Sequence, residues 1–193
     1  MSLKIKLFIA VLAIALAPEL PAQTGGNPDP YELAGLNMAG PNHKLLEKFV
    51  GKWRLLYRIN SIDPYTSPTY GKGETENEII LQNKFLDMHG MMIYEHMKLN
   101  MRMTIGYDAA RKKYTFYYID ASRTGAYYAI GEYSDSTGVY TFHGEDYNPI
   151  EEKQIPYRVT LRFEREDKYI LEMYIQKDDA EMKLLEFQYV KIE

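Results

Sequence analysis

WRLLYRIN, residues 53–60, places apolar side chains at Trp53, Leu55, Tyr57 and Ile59 and turns Arg54, Arg58 and Asn60 the other way. Successive side chains of an extended strand point to opposite faces, so a period of two marks a strand with one dry and one wet face. Just upstream the period is different. In PNHKLLEKFVG, residues 41–51, Leu45, Leu46, Phe49 and Val50 recur at helical spacing, with Asn42 as the expected cap and Gly51 as the stop. The chain therefore changes from one short helix to strand at Gly51.

The same alternation recurs downstream. Tyr157, Val159, Leu161 and Phe163 oppose Arg158, Thr160, Arg162 and Glu164; Tyr169, Leu171, Met173 and Ile175 repeat the pattern, as do Leu185, Phe187 and Tyr189. Turn-forming residues separate the runs: Asp108 to Arg111, SDSTG at 134–138, Glu166 with Asp167, and Asp178 with Asp179. About nine or ten strands fit after Lys52, joined by hairpin-length links, with no second helix long enough for a parallel crossover. The expected fold is all-β: a single antiparallel up-and-down β-barrel with one short N-terminal helix, spanning 41–193. Closure buries the apolar faces and removes the sheet edges.

The segment before this domain reads differently. Lys4 and Lys6 precede an apolar run from Leu7 to Ala17, followed by Pro18, Pro21 and the small Ala22, the layout of a secretory signal peptide over 1–22 with cleavage near Ala22. The run falls short of the roughly 20 residues a membrane-spanning helix needs. Residues 23–40, rich in Gly, Pro and Asn, read as a flexible leader. The expected location is exported, periplasmic or secreted. A net charge of −4 with no basic stripe argues against nucleic acid and anionic membrane surfaces as partners. The absence of cysteine excludes disulfides, thiolate metal sites and a cysteine nucleophile.

Gly51-Lys52-Trp53, at the junction of helix and first strand, resembles the G-x-W element of lipocalins and other calycin barrels. GYDAARKKYTFYYIDASRTG, residues 106–125, resembles the G-Y-D…K-x-Y…W-x-D…T-G signature of a bacterial domain-of-unknown-function family with a calycin-like barrel. His43 ahead of G-x-W and the E-x-x-Y stretch from Glu186 to Tyr189 extend the likeness; Tyr118 stands where that family usually has Trp, and Lys191 where it often has Arg. The resemblance implies a lipocalin-like barrel and no particular reaction. Through the related nitrobindins it also implies that haem held by a histidine is an alternative.

LDMHGMMIYEHMKLNMRMTIGYD, residues 86–108, holds six of the ten methionines and two of the four histidines. Thioether and imidazole suit copper, yet Met101 and Met103 share a strand face with Leu99, Ile105 and Tyr107, which is the pattern of an ordinary wall. Methionine then serves as adaptable packing. A turn near Lys98 to Asn100 is expected within the stretch. His89, His96 and His143 remain weak metal candidates, and with His43 they are the haem candidates; His143 shares the face of Val139 and Thr141 and is expected inward.

No Ser-His-Asp order, phosphate loop or HExxH is present, so no catalytic residue is assigned and binding is preferred to catalysis. Asp120, Arg123 and Thr124 close the signature, with Asp120 expected to cap the turn that follows. Strand parity selects Trp53, Tyr57, Met101, Met103, Tyr118, Phe163 and Met173 as cavity lining for a small, largely apolar ligand. The alternatives are a haem- or metal-binding barrel and a non-catalytic interaction module that uses the barrel as a scaffold.

Overall fold

The computed structural model describes residues 35–61, 63, 65–149, 151–177 and 180–192. The expected signal peptide and most of the expected leader lie outside the described residues, as does the turn at Asp178 and Asp179. Strands form wherever the period of two holds: β1 (Gly51–Ile59), β2 (Thr69–Ile80), β3 (Phe85–Tyr94), β4 (Met97–Asp108), β5 (Lys113–Asp120), β6 (Tyr127–Ser134), β7 (Val139–Asn148), β8 (Lys153–Arg165), β9 (Lys168–Lys177) and β10 (Ala180–Lys191). Each pairs antiparallel with the next, and β1 closes the barrel against β10 in a register that sets Trp53 opposite Lys191 and Tyr57 opposite Phe187. The up-and-down barrel expected from the alternation is the fold.

Closure demands sharp coiling at β2 and β3. A Cβ at Gly90 would lie 2.1 Å from the Glu74 carbonyl oxygen, so only glycine permits this approach of the two backbones. At the entrance to β1, Gly51 has φ +126°, which favours glycine and lets the preceding segment fold back over the barrel end.

That segment is a plug. It contains α1 (Pro41–Lys44), a single α-turn, and a 3₁₀ turn from Glu47 to Phe49, instead of the continuous helix expected from the spacing of Leu45, Leu46 and Phe49. Nor does Asn42 cap it. The cap is at Gly40, whose N–H donates to His43 Nδ1 at 3.0 Å, because Pro41 starts the turn one residue earlier. Burial lowers the His43 pKa, and the neutral imidazole also bonds the Tyr107 backbone.

The barrel interior supplies donors for the carbonyls that so short a helix leaves unpaired. Trp53 Nε1 and Asn77 Nδ2 donate to the Phe49 carbonyl at 2.8 and 2.9 Å; the Tyr114 hydroxyl donates to Asn42 O at 2.9 Å and the Tyr140 hydroxyl to Leu45 O at 3.2 Å. Around these bonds Leu46, Phe49, Trp53, Tyr140 and Tyr169 are fully buried. Phe49 meets Phe163 and Tyr169 with ring centroids 4.8 and 5.1 Å apart, and Tyr169 stacks on Tyr189 at 4.3 Å. Lys48 lies 5.1–5.4 Å from four ring centroids at the rim of the plug.

Two further expectations change. The turn between β3 and β4 is at Glu95 and His96, three residues before the expected Lys98–Asn100. Both residues have positive φ (45° and 71°), the geometry of a tight hairpin turn, without the Gly or Asn that usually announces it. His143 points outward and is exposed, because Tyr140 and Phe142, not Val139 and Thr141, occupy the inner face of β7.

On the outer face, Glu172 of β9 is buried between neighbouring strands. Its carboxylate takes Arg162 Nη1 at 2.5 Å and the Lys183 ammonium. Burial alone would raise its pKa, but the bonds from Lys183 and Arg162 outweigh burial and hold it below the usual range; Lys183 is pushed up to about 12, chiefly by Glu172 and then Glu186.

Two outcomes follow. Trp53→Ala removes the largest side chain of the plug layer and a bond to Phe49, and is expected to cost about 3–5 kcal/mol in urea denaturation; a loss under about 1 kcal/mol would show that the plug is not coupled to the barrel. The depressed Glu172 contributes stability above its unfolded pKa of about 4.3, lost as pH falls through the lower native value. Glu172→Gln is therefore expected to lower the urea midpoint at pH 7 and to flatten its fall toward pH 3; parallel pH profiles in the two proteins would contradict the triad's role.

Candidate functional site

With one end plugged, the interior opens toward the other. There the ends of β1, β3, β5 and β9 and the starts of β4, β6 and β10 surround a cavity of 320 Å³. Its wall is built from Met92, Met103, Phe116, Leu171, Met173 and Phe187, and its mouth from Ile59, Tyr94, Leu99, Asp120, Ser122 and Tyr127. A bulge in β10 between Lys183 and Leu185 breaks the alternation, so that Leu184 and Leu185 both reach the wall.

Of the residues selected by strand parity, Met103, Tyr118 and Met173 line this cavity. The other four are placed elsewhere. Trp53 and Phe163 belong to the plug layer, with centroids 6.2 Å apart, because that end of the barrel is occupied by Phe49. Tyr57 lies over Gly71 and donates its hydroxyl to the Ile93 carbonyl at 2.5 Å. Met101 is buried beside Gly90 but borders a hollow on the outer surface. Parity identifies the face of a strand; it does not identify the height along the barrel axis, and here height separates filled core from open cavity.

The outer hollow, about 810 Å³, is larger and more open, and crosses β2 to β5 with Glu74, Glu76, His89 and Arg102 on its walls. Near it, Glu78, Asp87 and His89 bring ligand atoms within 4.8 Å of one another. The buried Asp87 is already engaged by Arg102 Nε at 2.7 Å and by Thr104 Oγ1 at 3.3 Å, so this cluster is explained as an ion-pair network. His96 sits in the exposed β3–β4 turn and His143 on the outside. No histidine is among the residues lining the inner cavity, which offers no imidazole for haem or metal there.

The polar mouth was only half legible. Asp120 does cap its turn, accepting from Ser122 N at 2.7 Å and from the Ser122 hydroxyl. It also faces the cavity, where the Tyr118 hydroxyl bonds it. Burial first, then the Asp120 charge, pushes the Tyr118 pKa far up, so Tyr118 stays a hydrogen-bond donor. Arg123 is held by Asp146 through two bonds of 2.7 and 3.0 Å and stacks its guanidinium 4.1 Å from the Tyr127 ring centroid. The signal for this cluster was the D-x-x-R spacing of Asp120 and Arg123 at the end of an alternating strand.

Among solved structures, the barrel is similar to that of Rv2717c from M. tuberculosis (13% identity, TM-score 0.59, covering 81% of this chain and 100% of that one). It is also similar to the S-type phycobiliprotein lyase CPES from Guillardia theta (10% identity, TM-score 0.53, covering 84% of this chain and 98% of that one). At these identities the likeness concerns the fold alone. No curated protein matches the chain. Residues 38–191, from just before the plug to the last strand, match the family described as Protein of unknown function (DUF1579), and the chain belongs to that family.

Proposed function

We propose that this protein is an exported barrel that binds one small, largely apolar molecule in its interior. The observation that carries the reading is the cavity between plug and mouth: 320 Å³, walled by Met, Leu and Phe side chains, with a few polar groups confined to one end. Ligand sites are typically of about 300–1,000 Å³, mostly apolar with a small number of placed polar groups, and this cavity has that composition at the small end of the range. Methionines in the wall suit cargo of imperfect fit, since the unbranched thioether chain repacks at low cost. Export rests on the Lys4, Lys6 and Leu7 to Ala17 pattern at the N-terminus.

The scaffold alternative is favoured by a different feature, Tyr117 and Tyr128, which pair across β5 and β6 on the outer face and are both exposed. Tyrosine is frequent at interfaces. It is also a favoured strand residue, so this pair ranks below the interior cavity.

Native mass spectrometry of the protein, purified gently from the exported fraction of its own host, is expected to show an organic mass that is lost on denaturation. A bare mass together with no saturable uptake of a neutral apolar dye would contradict the reading. Val159→Phe, which adds volume inside the cavity, is expected to weaken dye binding about tenfold or more while leaving the far-ultraviolet circular dichroism unchanged; unaltered dye affinity would place the dye elsewhere.

A further inference from the structure

The mouth of the cavity is lopsided in charge. Among the described residues that line it, Asp120 alone carries a formal charge. Its partners are neutral donors: the Ser122 N–H and hydroxyl, and the Tyr118 hydroxyl. Arg123, three residues further along, is committed to Asp146 by two charged hydrogen bonds, which balance its charge. Aromatic faces reinforce the bias. Tyr118 and Tyr127 stand with centroids 6.2 Å apart beside Asp120, and one cation, Arg123, already stacks on Tyr127.

We infer that the ligand of this cavity is an amphiphilic amine, its apolar body seated on Met103, Phe116 and Leu171 and its protonated nitrogen held at Asp120 beside the Tyr118 and Tyr127 rings. The inference rests on the interior being a ligand cavity and adds the class of head group to that reading. A fatty acid of the same body would bring its carboxylate to Asp120 with no cation among the described lining residues to separate the like charges, and a partly enclosed site screens such repulsion poorly. An amine meets an ionised acceptor already oriented by Ser122, a charge-assisted hydrogen bond of the stronger kind. A neutral alcohol gains only an ordinary hydrogen bond and falls between the two.

The test is displacement of the neutral dye N-phenyl-1-naphthylamine at pH 7 by decylamine, decanol and decanoate, which share a chain and differ only in head group. In the wild-type protein decylamine is expected to displace the dye at a concentration about tenfold or more below that of decanoate, with decanol between them. Asp120→Asn removes the charge while keeping an acceptor for the Ser122 turn, and is expected to bring the three probes, each referred to the variant's own dye affinity, within about threefold of one another. Decanoate equal to or better than decylamine in the wild type would overturn the inference, as would a preference for decylamine that survives in Asp120→Asn. Dye that binds without head-group discrimination defeats the amine alone; dye that does not bind the wild type defeats the cavity reading and the amine with it.

Discussion

Two donors from the barrel wall converge on one carbonyl of the plug: Trp53 Nε1 and Asn77 Nδ2 both bond Phe49 O. A closed up-and-down sheet of ten strands encloses more volume than its own inward side chains fill, and both of its ends are open until something covers them. The segment 41–50 covers one. It is too short to be a stable helix alone, and it persists because tyrosine, tryptophan and asparagine side chains pair with its carbonyls while their rings and stems pack against Leu46 and Phe49. Aromatic residues with one polar atom are suited to this position, since each fills space and also satisfies a backbone group that would otherwise be buried unpaired.

Everything functional is set by what that closure leaves. The interior grades along the axis, from a filled aromatic layer at Phe49, Trp53 and Tyr169, through Met103, Phe116 and Leu171, to Asp120, Ser122 and Tyr127 at the open end. The plug keeps solvent from one side, and the β10 bulge narrows the other by turning two consecutive leucines inward. In the proposed role a ligand passes the polar groups at the mouth and, once seated, leaves its head group beside them with its body out of water. In that role the hydrophobic term would supply affinity and the mouth discrimination.

The strand alternation in WRLLYRIN and YRVTLRFER carried the barrel, because a half-buried strand must alternate and a chain with many such strands and one short helix has few other ways to bury them. Local chemistry was less legible. Glu95 and His96 form a turn without glycine, so nothing local marked it and the turn was expected three residues downstream, at Lys98 to Asn100. His43, by sequence a haem candidate, is the capping acceptor of the plug. Met103, Tyr118 and Met173 reach the cavity while Trp53 and Phe163 do not, a distinction that depends on height in the barrel and on where Phe49 inserts, neither of which has a sequence period. Asp120 was legible as a turn cap; its place at the cavity mouth needed the neighbouring strands to be in place.

The plug seals one end of this barrel, and in the proposed role the other end holds a ligand. A crystal structure of the protein grown with N-phenyl-1-naphthylamine distinguishes an occupied interior from a filled one. Electron density for the dye between Met103, Met173 and Leu185, with Phe49 still bonded by Trp53 and Asn77, is the predicted result. Dye lodged only in the outer hollow beside His89 and Arg102, or an interior filled by side chains from plug to mouth, would contradict the account.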